Sequence, residues 1–228
     1  MEIRLEEITK NYQRNNRKIS VLNGLNLTIP KGKFVVFSGD SGVGKSTLLN
    51  IISGVSRPTS GKVYYGKEEI TGYNEQQLSD FRRAKLGIVT QNCELIPYLT
   101  LYENLELAFE LNKTPVGEDK KKDIIKLLNE LGLYNLENEY PKSLSSGEIK
   151  RAAIARSIIS KPEVLIMDEP TANLDRKNVI KVLEILQKYK ESGSMVIISS
   201  HEGQAIDFAD ININLSNTRC QEKQIFIA

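Results

Sequence analysis

The 228-residue sequence contains no tryptophan, one histidine and two cysteines. The cysteines, Cys93 and Cys220, lack the spacing of a metal site, and we expect both to be free thiols in a reducing compartment. The sequence also lacks any apolar run near the ~18 residues that cross a bilayer. Its charged start, MEIRLEEITK, does not resemble a signal or transit peptide. We therefore expect any membrane association to come through a partner chain.

An excess of charge of one sign is also missing. The 31 basic and 29 acidic residues give a net charge of +2, and no long basic stripe is present. The lysine run at 120–122 is flanked by Glu118, Asp119 and Asp123, which is typical of a solvated helix face. This balance gives little electrostatic support for nucleic acid as a partner, and we expect none.

The strand patterns predict a mainly parallel sheet. Segment 34–39 begins with a continuous apolar run, as in a strand buried on both faces of a parallel sheet, and strand character returns at 164–170 and 195–201. Apolar residues alternate around Ile3 to Ile8 and at 25–29, which predicts further strands near the N-terminus. The segments 211–215 and 224–228 predict a closing hairpin.

Helical patterns lie between the strands and dominate the middle of the chain. They occur at 45–53, at 101–112, at 118–132, from Glu148 onward, and at about 176–190. Alternating strands and helices predict an α/β sheet that binds ligands at the carboxyl ends of its strands. We expect one domain in which a core of about 1–91 and 161–228 is interrupted by a helical lobe at about 92–160.

A glycine-rich turn follows the first buried strand. GDSGVGKS, residues 39–46, fits the phosphate-loop pattern G-x-x-x-x-G-K-[ST] and lies between a predicted strand and a predicted helix. Backbone N–H groups of such a loop surround phosphates, while Lys45 reaches the β- and γ-phosphate oxygens and Ser46 offers its hydroxyl to Mg²⁺. The predicted nucleotide-binding residues here are Gly39, Asp40, Ser41, Gly42, Val43, Gly44, Lys45, Ser46 and Thr47.

Polar residues at the ends of later strands are candidates for the hydrolytic chemistry. Asp168 ends VLIMD, where its carboxylate could meet the Mg²⁺ shell through water, and Glu169 could polarise the attacking water. The alternative is a strand that ends in two surface acids. His201 follows the next apolar strand and is either a surface residue or part of the site. Gln91 follows KLGIVT and could approach Mg²⁺ or water.

A second serine- and glycine-rich turn, LSSGE at 144–148, has no lysine. Ser145, Ser146, Gly147 and Glu148 precede or open a predicted helix, whose positive end favours an anion. An ordinary serine cap fits the same residues, and spacing leaves both interpretations open.

The phosphate loop, Gln91, LSSGE, VLIMDEP, TANLD and His201, in this order, resemble the nucleotide-binding domain of an ATP-binding cassette (ABC) ATPase, and the resemblance extends from Tyr12 to His201. It implies a P-loop ATPase with a mostly parallel core sheet, an N-terminal antiparallel part and an inserted helical lobe. It also implies ATP and Mg²⁺ as ligands. In this family the LSGGQ-type loop binds the γ-phosphate of an ATP held by the other subunit, which implies an ATP-dependent homodimer.

The resemblance also implies roles for individual residues. Tyr12 resembles the aromatic residue that stacks on adenine, and Gln91 the residue that links the Mg²⁺ site to the transmembrane partner. Glu169 resembles the catalytic base, Asp175 the aspartate that communicates between subunits, and His201 the γ-phosphate sensor.

The sequence departs from the family pattern next to LSSGE. Ser146 stands where glycine is usual, and Ile149 and Lys150 replace two common glutamines. The serine adds a Cβ where the backbone must approach phosphate closely.

The stretch at 90–107 and PTANLD are similar to the macrolide-exporter and lipoprotein-releasing branch. This similarity implies a bacterial subunit on the cytoplasmic face of the membrane that drives a separate permease in peptide, antimicrobial or lipoprotein export or extraction. A cell-division type of complex, which transmits force without transport, is the alternative. A soluble ABC ATPase acting on ribosomes or DNA is disfavoured by the single cassette without a coiled-coil insert. A phosphate-loop kinase is disfavoured by LSSGE together with Glu169.

Overall fold

The computed structural model describes residues 1–15, 17–111, 120–218 and 224–225. Ten strands lie within these residues: β1 Ile3–Arg14, β2 Arg17–Ile29, β3 Phe34–Ser38, β4 Ser60–Tyr65, β5 Glu68–Glu69, β6 Leu86–Val89, β7 Val164–Asp168, β8 Met195–Ser199, β9 Ile211–Asn214 and β10 Gln224–Ile225. The α-helices of the same residues are α1 Lys45–Ile52, α2 Glu75–Lys85, α3 Leu101–Leu111, α4 Lys120–Glu130, α5 Ser146–Ile158, α6 Arg176–Glu191 and α7 Gly203–Asp207. Short 3-10 turns lie at Pro141–Ser143 and Leu215–Thr218.

The described strands form two sheets. One has the order β6-β7-β8-β3-β9, with all neighbours parallel. The other has the order β10-β2-β1-β4-β5 and is antiparallel except where β10 pairs with β2. The predicted fold class, a mostly parallel core sheet with an N-terminal antiparallel part, is confirmed.

Strand β3 is buried along its whole length because both faces of the parallel sheet are covered. Phe34 and Val36 pack in one apolar cluster with α5 and α6, whereas Val35 and Phe37 pack in a second cluster with α1 and the antiparallel sheet. Burying each such side chain contributes roughly 1.5–3 kcal/mol. This packing fixes the point at which the chain leaves β3 and enters the phosphate loop.

The helices between 101 and 158 share the first of these clusters. Leu105 of α3 and Leu128 of α4 are buried in it together with residues of α5 such as Ile154. Helix α4 is followed by Gly132, which has a positive φ of 73° and ends the helical run as predicted. Residues 112 and 118–119, at the ends of the two predicted helices, lie outside the described residues.

The predicted closing hairpin is wrong. Strand β9 pairs in parallel with β3, and β10 pairs with β2 in the other sheet. Alternating apolar residues predict that a segment is a strand, but they do not determine its partner. Most of 224–228 lies outside the described residues.

Helix α5 begins at Ser146, two residues before the predicted start at Glu148. The reason is a capping box: the Ser145 hydroxyl accepts from the Glu148 N–H, and the Glu148 carboxylate accepts from the Ser145 N–H. Helix α2 was not predicted, although Asn74 and Gln77 form the same kind of box at its start.

Candidate functional site

The phosphate loop joins the end of β3 to the start of α1. Its glycines Gly39, Gly42 and Gly44 have φ angles of 130°, 78° and 111°, a region that residues with side chains rarely adopt. A Cβ at position 39 would also lie 2.9 Å from Ser216 Oγ. All three glycines therefore meet a backbone requirement of this loop, and two of them, Gly39 and Gly44, are those of the sequence pattern.

The N-terminal end of α1 is not capped by the side chain of its N-cap residue. Gly44 occupies that position in a left-handed conformation and makes no side-chain hydrogen bond to the helix. Lys45 is 6% exposed, and its Nζ donates to the carbonyl oxygens of Gly39 at 2.7 Å and Asp40 at 3.0 Å. Helix N–H groups and an adjacent ammonium group together suit a phosphate. Ser46 and Thr47 lie half-buried in the first turn of the same helix.

Asp40 places a carboxylate inside a loop suited to anions. Its Oδ2 accepts from the hydroxyl of Ser216 at 3.2 Å, and the same hydroxyl accepts from the Asp40 N–H at 3.0 Å. The N–H of Ser216 donates to Asn214 Oδ1 at 2.9 Å, which anchors the serine at the end of β9. The carboxylate is therefore engaged by the chain that follows β9.

Asp168 and Glu169 stand at the carboxyl end of β7, beside β8. The buried hydroxyl of Ser199 donates to Asp168 Oδ1 at 2.5 Å and accepts from the Glu169 N–H at 2.9 Å. Glu169 has a positive φ of 48°. One hydroxyl on β8 thus fixes both acidic residues.

His201 lies beside this acidic pair, because β8 is the neighbour of β7 in the sheet. Its Nδ1 is 3.4 Å from Glu169 Oε1, and its side chain is 62% exposed. Gln91 lies in the exposed loop after β6. The structure therefore brings Asp168, Glu169 and His201 together at one sheet edge.

The oxygen groups at this edge suit Mg²⁺. The Asp168 carboxylate and the Ser46 hydroxyl are hard oxygen donors, and Mg²⁺ commonly combines one or two protein carboxylates with substrate phosphates. Asp168 is only 9% exposed, and its bond from Ser199 fixes one carboxylate oxygen. The donor set therefore fits the metal that the family implies.

The LSSGE turn caps its own helix. Glu148 accepts from the Ser145 N–H at 2.8 Å and from its hydroxyl at 2.6 Å. These two bonds lower the pKa of Glu148, the bond from the hydroxyl being the larger cause. Ser146 and Gly147 form the first turn, and a Cβ on Gly147 would lie 3.3 Å from Leu174 of the TANLD segment. The structure shows the serine cap, and the same residues would form the anion site, whose role stays a prediction.

The remaining predicted residues lie apart. Asp175 is the N-cap of α6 and accepts from the Asn178 N–H at 3.1 Å, and this bond is the main cause of its lowered pKa. Tyr12 lies on β1, 44% exposed, with Lys10 Nζ 5.3 Å from its ring centroid. Their roles stay predictions.

Three residues that contact the site were missed as site residues. Ser199 lies only two residues before His201, so its place at a strand end was an available signal. Ser216 is 176 residues from Asp40 in sequence, and no local pattern indicates their contact. Lys150 was noted only as a departure from the family, yet it donates to the carbonyl oxygens of Glu169 and Ala172.

The chain matches known proteins over nearly its whole length. A family model described as ABC transporter matches residues 22–172. An uncharacterized ABC transporter ATP-binding protein of Methanocaldococcus jannaschii, MJ1508, is 38% identical over 93% of this chain and 95% of its own. The putative hemin import ATP-binding protein HrtA of Staphylococcus haemolyticus is 33% identical over 97% of this chain and 100% of its own.

A solved structure has the same fold. It is the dimeric, post-hydrolysis state of the ATP-binding cassette MJ0796 bound to ADP and Pi, and MJ0796 is likewise a protein of Methanocaldococcus jannaschii. It superposes with a TM-score of 0.87 at 34% identity, over 93% of this chain and 94% of that chain. The phosphate loop and the acidic residues at the end of β7 are those expected of these relatives. The chain belongs to the ABC transporter family as an ATP-binding, ATP-hydrolysing cassette.

Proposed function

We propose that this chain drives a separate membrane permease as one half of an ATP-dependent homodimer. The observation that carries the proposal is the grouping of Asp168, Glu169 and His201 at the carboxyl edge of the sheet that also carries the phosphate loop. The work coupled to it is peptide, antimicrobial or lipoprotein export or extraction, by similarity of the segment at 90–107 to that branch. The chain would act at the cytoplasmic face of the membrane. No helix among the described residues is long and apolar enough to cross a bilayer.

The proposed chemistry is attack of water on the γ-phosphorus of ATP, which breaks its bond to the bridging oxygen of the β-phosphate and releases ADP and phosphate. Lys45 and the N-terminal N–H groups of α1 hold the phosphates. The Glu169 carboxylate accepts a hydrogen bond from the attacking water and polarises it, and His201, 3.4 Å from that carboxylate, contacts the γ-phosphate. Mg²⁺, held by Ser46, Asp168 through water, and Gln91, would neutralise developing charge on the phosphate oxygens when bound.

The homodimer follows from the turn at 144–148. Its helix end suits an anion but has no lysine, so we propose that Ser145, Ser146, Gly147 and Glu148 complete the site on the partner. Asp175 would then connect the two sites, and Tyr12 would stack on adenine. The dimeric MJ0796 structure supports this arrangement by similarity.

The permease would dock next to Gln91, on the turn before α3. Tyr98 is 87% exposed and Ile96 is 36% exposed there, whereas Leu99 is half-buried. Tyr98→Asp should therefore uncouple transport from hydrolysis without disturbing the fold, and basal ATPase of the isolated chain should be unchanged. A Tyr98→Asp chain that still assembles with its permease and transports normally would place the docking surface elsewhere.

The test of the proposed chemistry is Glu169→Gln. This variant should bind ATP normally but turn it over roughly 10²–10⁴ times more slowly, the usual contribution of a positioned base. Glu163→Gln is a matched control, because Glu163 is exposed at the opposite end of the same strand. Near-normal turnover by purified Glu169→Gln would remove Glu169 from the reaction.

A further inference from the structure

Lys150 connects helix α5 to the backbone of the proposed base. It lies in the second turn of α5, and its Nζ is 3.0 Å from the carbonyl oxygen of Glu169 and 2.8 Å from that of Ala172. An ammonium group has three donors and no acceptor, and its hydrogen bonds to carbonyl oxygens are strengthened by its charge. One side chain therefore ties together two segments that are far apart in sequence.

The Glu169 backbone needs such support. Its φ of 48° lies in the left-handed region, which is unfavourable for a residue with a Cβ and persists only where the surroundings fix it. Ser199 holds the Glu169 N–H at 2.9 Å on one side of the residue, and Lys150 holds its carbonyl oxygen on the other. Together these two contacts fix the direction in which the Glu169 side chain leaves the backbone.

The same lysine lies one helical turn after the LSSGE residues. Ser146 is four residues before Lys150 on α5, so both move with the N-terminal end of that helix. Leu174 packs against Gly147 on the same helix end, within 3.3 Å of where a Cβ would lie. A shift of the helix end would therefore reach both Glu169 and the segment leading to Asp175.

We propose that Lys150 is a positioning residue for hydrolysis. Its bonds to the carbonyl oxygens of Glu169 and Ala172 fix the position of the Glu169 carboxylate. That position then depends on the position of α5, whose first turn contacts the nucleotide bound by the partner. This inference rests on the proposed roles of Glu169 and of the LSSGE turn. It gives a physical route by which ATP bound at the partner's phosphate loop affects the base in this chain's own site.

The first measurement is steady-state ATPase of Lys150→Met, which keeps the length of the side chain but removes all three donors. Its kcat should fall about ten- to a hundredfold, the scale of a small misplacement of a catalytic group, while ATP binding is unchanged. Lys150→Arg keeps the charge and donors and should recover most of the lost rate. Lys188→Met, which removes an exposed lysine from α6, is the matched control.

The second measurement tests whether Lys150 acts through Glu169. In single-turnover assays, Lys150→Met should reduce the rate strongly in the wild-type background but leave the residual rate of Glu169→Gln unchanged, because the carboxylate is already absent. An equal fold-loss in both backgrounds, or full activity of Lys150→Met, would overturn the inference. If Lys150→Met does not fold, Lys150→Gln enters the same cycle with the same expected non-additivity. Normal turnover by Glu169→Gln alone would instead overturn the proposed role of Glu169.

Discussion

At the residue scale, the site depends on a few polar groups that each serve two partners. The Ser199 hydroxyl donates to Asp168 and accepts from Glu169, while Lys150 holds the other side of Glu169. Ser199 is fully buried, so water cannot replace its bonds. The two acidic residues are therefore placed by neighbours that carry no negative charge.

Removing the Ser199 hydroxyl should destabilise the fold as well as the site. Ser199→Ala leaves the Asp168 carboxylate and the Glu169 N–H without this partner, and we expect a loss of about 1–3 kcal/mol in the free energy of unfolding. The measurement is urea unfolding. Ser194→Ala is the control at the other end of β8, where the hydroxyl makes a single bond to the Pro162 carbonyl oxygen and the loss should be smaller. Equal losses of unfolding free energy in the two variants would show that the two hydrogen bonds of Ser199 stabilise the fold no more than the single bond of Ser194.

Glu148, in the first turn of α5, should make the stability of the fold depend on pH. Its pKa is lowered from 4.5 by bonds from Ser145, so the charged form stabilises the fold above pH 4.5, and this contribution is lost as the pH falls through the lowered pKa. Glu148→Gln lacks the charge at every pH. The difference in stability between wild type and this variant should therefore be largest near neutral pH and should shrink below pH 4.5. If the difference in the free energy of chemical unfolding between the two proteins is the same above and below pH 4.5, the Glu148 charge does not contribute to the pH dependence of stability.

At the element scale, the two serine- and glycine-rich turns are structurally opposite. Helix α1 begins at a left-handed glycine that provides no side-chain cap, next to Lys45. Helix α5 begins with a capping box in which Glu148 already holds the backbone of Ser145. An anion at the start of α1 would contact N–H groups that no side chain caps, whereas an anion at the start of α5 would lie beside the Glu148 carboxylate.

Ser216, in the segment after β9, should hold the phosphate loop in the conformation that binds ATP. Ser216→Ala removes the hydroxyl that holds both the N–H and the carboxylate of Asp40. We expect a several-fold higher KM for ATP with kcat retained, because the loop loses order in its binding conformation while Glu169 is untouched. Ser192→Ala, at the far end of α6, serves as the control. A fall in kcat at unchanged KM would contradict this assignment.

What could be predicted from the sequence was the local part of these elements. Strand β3 and the phosphate loop carry their signals in consecutive residues, and so does VLIMDE. The pairing of β9 with β3 and the contacts of Ser216 and Lys150 depend on segments that meet only in the folded chain. Helix α2 is different, since its capping pattern from Asn74 to Gln77 was present in the sequence and was overlooked.

At the scale of the whole molecule, each chain carries two turns that we propose act as half-sites, the phosphate loop and LSSGE. The phosphate loop follows β3, whereas LSSGE opens α5 before β7. If the second half-site serves the partner, one composite site combines Lys45 of one chain with Ser145 and Gly147 of the other. Damage to either half-site then disables both composite sites of a homodimer. In a mixed dimer of two single variants, however, each chain carries only one of the two kinds of damage.

Mixing two inactive variants should therefore restore activity. Lys45→Ala removes the phosphate-binding ammonium, and Ser145→Arg fills the LSSGE turn with a bulky charge, so each homodimer should be nearly inactive. In a mixed dimer both lesions fall in the same composite site, and the other site keeps wild-type residues from both chains. ATPase rate should rise and then fall as the mixing ratio is varied, with dimerisation followed by light scattering. A turn that serves its own chain's nucleotide would leave two damaged sites in every mixed dimer. Heterodimers that form but show no ATPase at any ratio would therefore contradict sharing between chains.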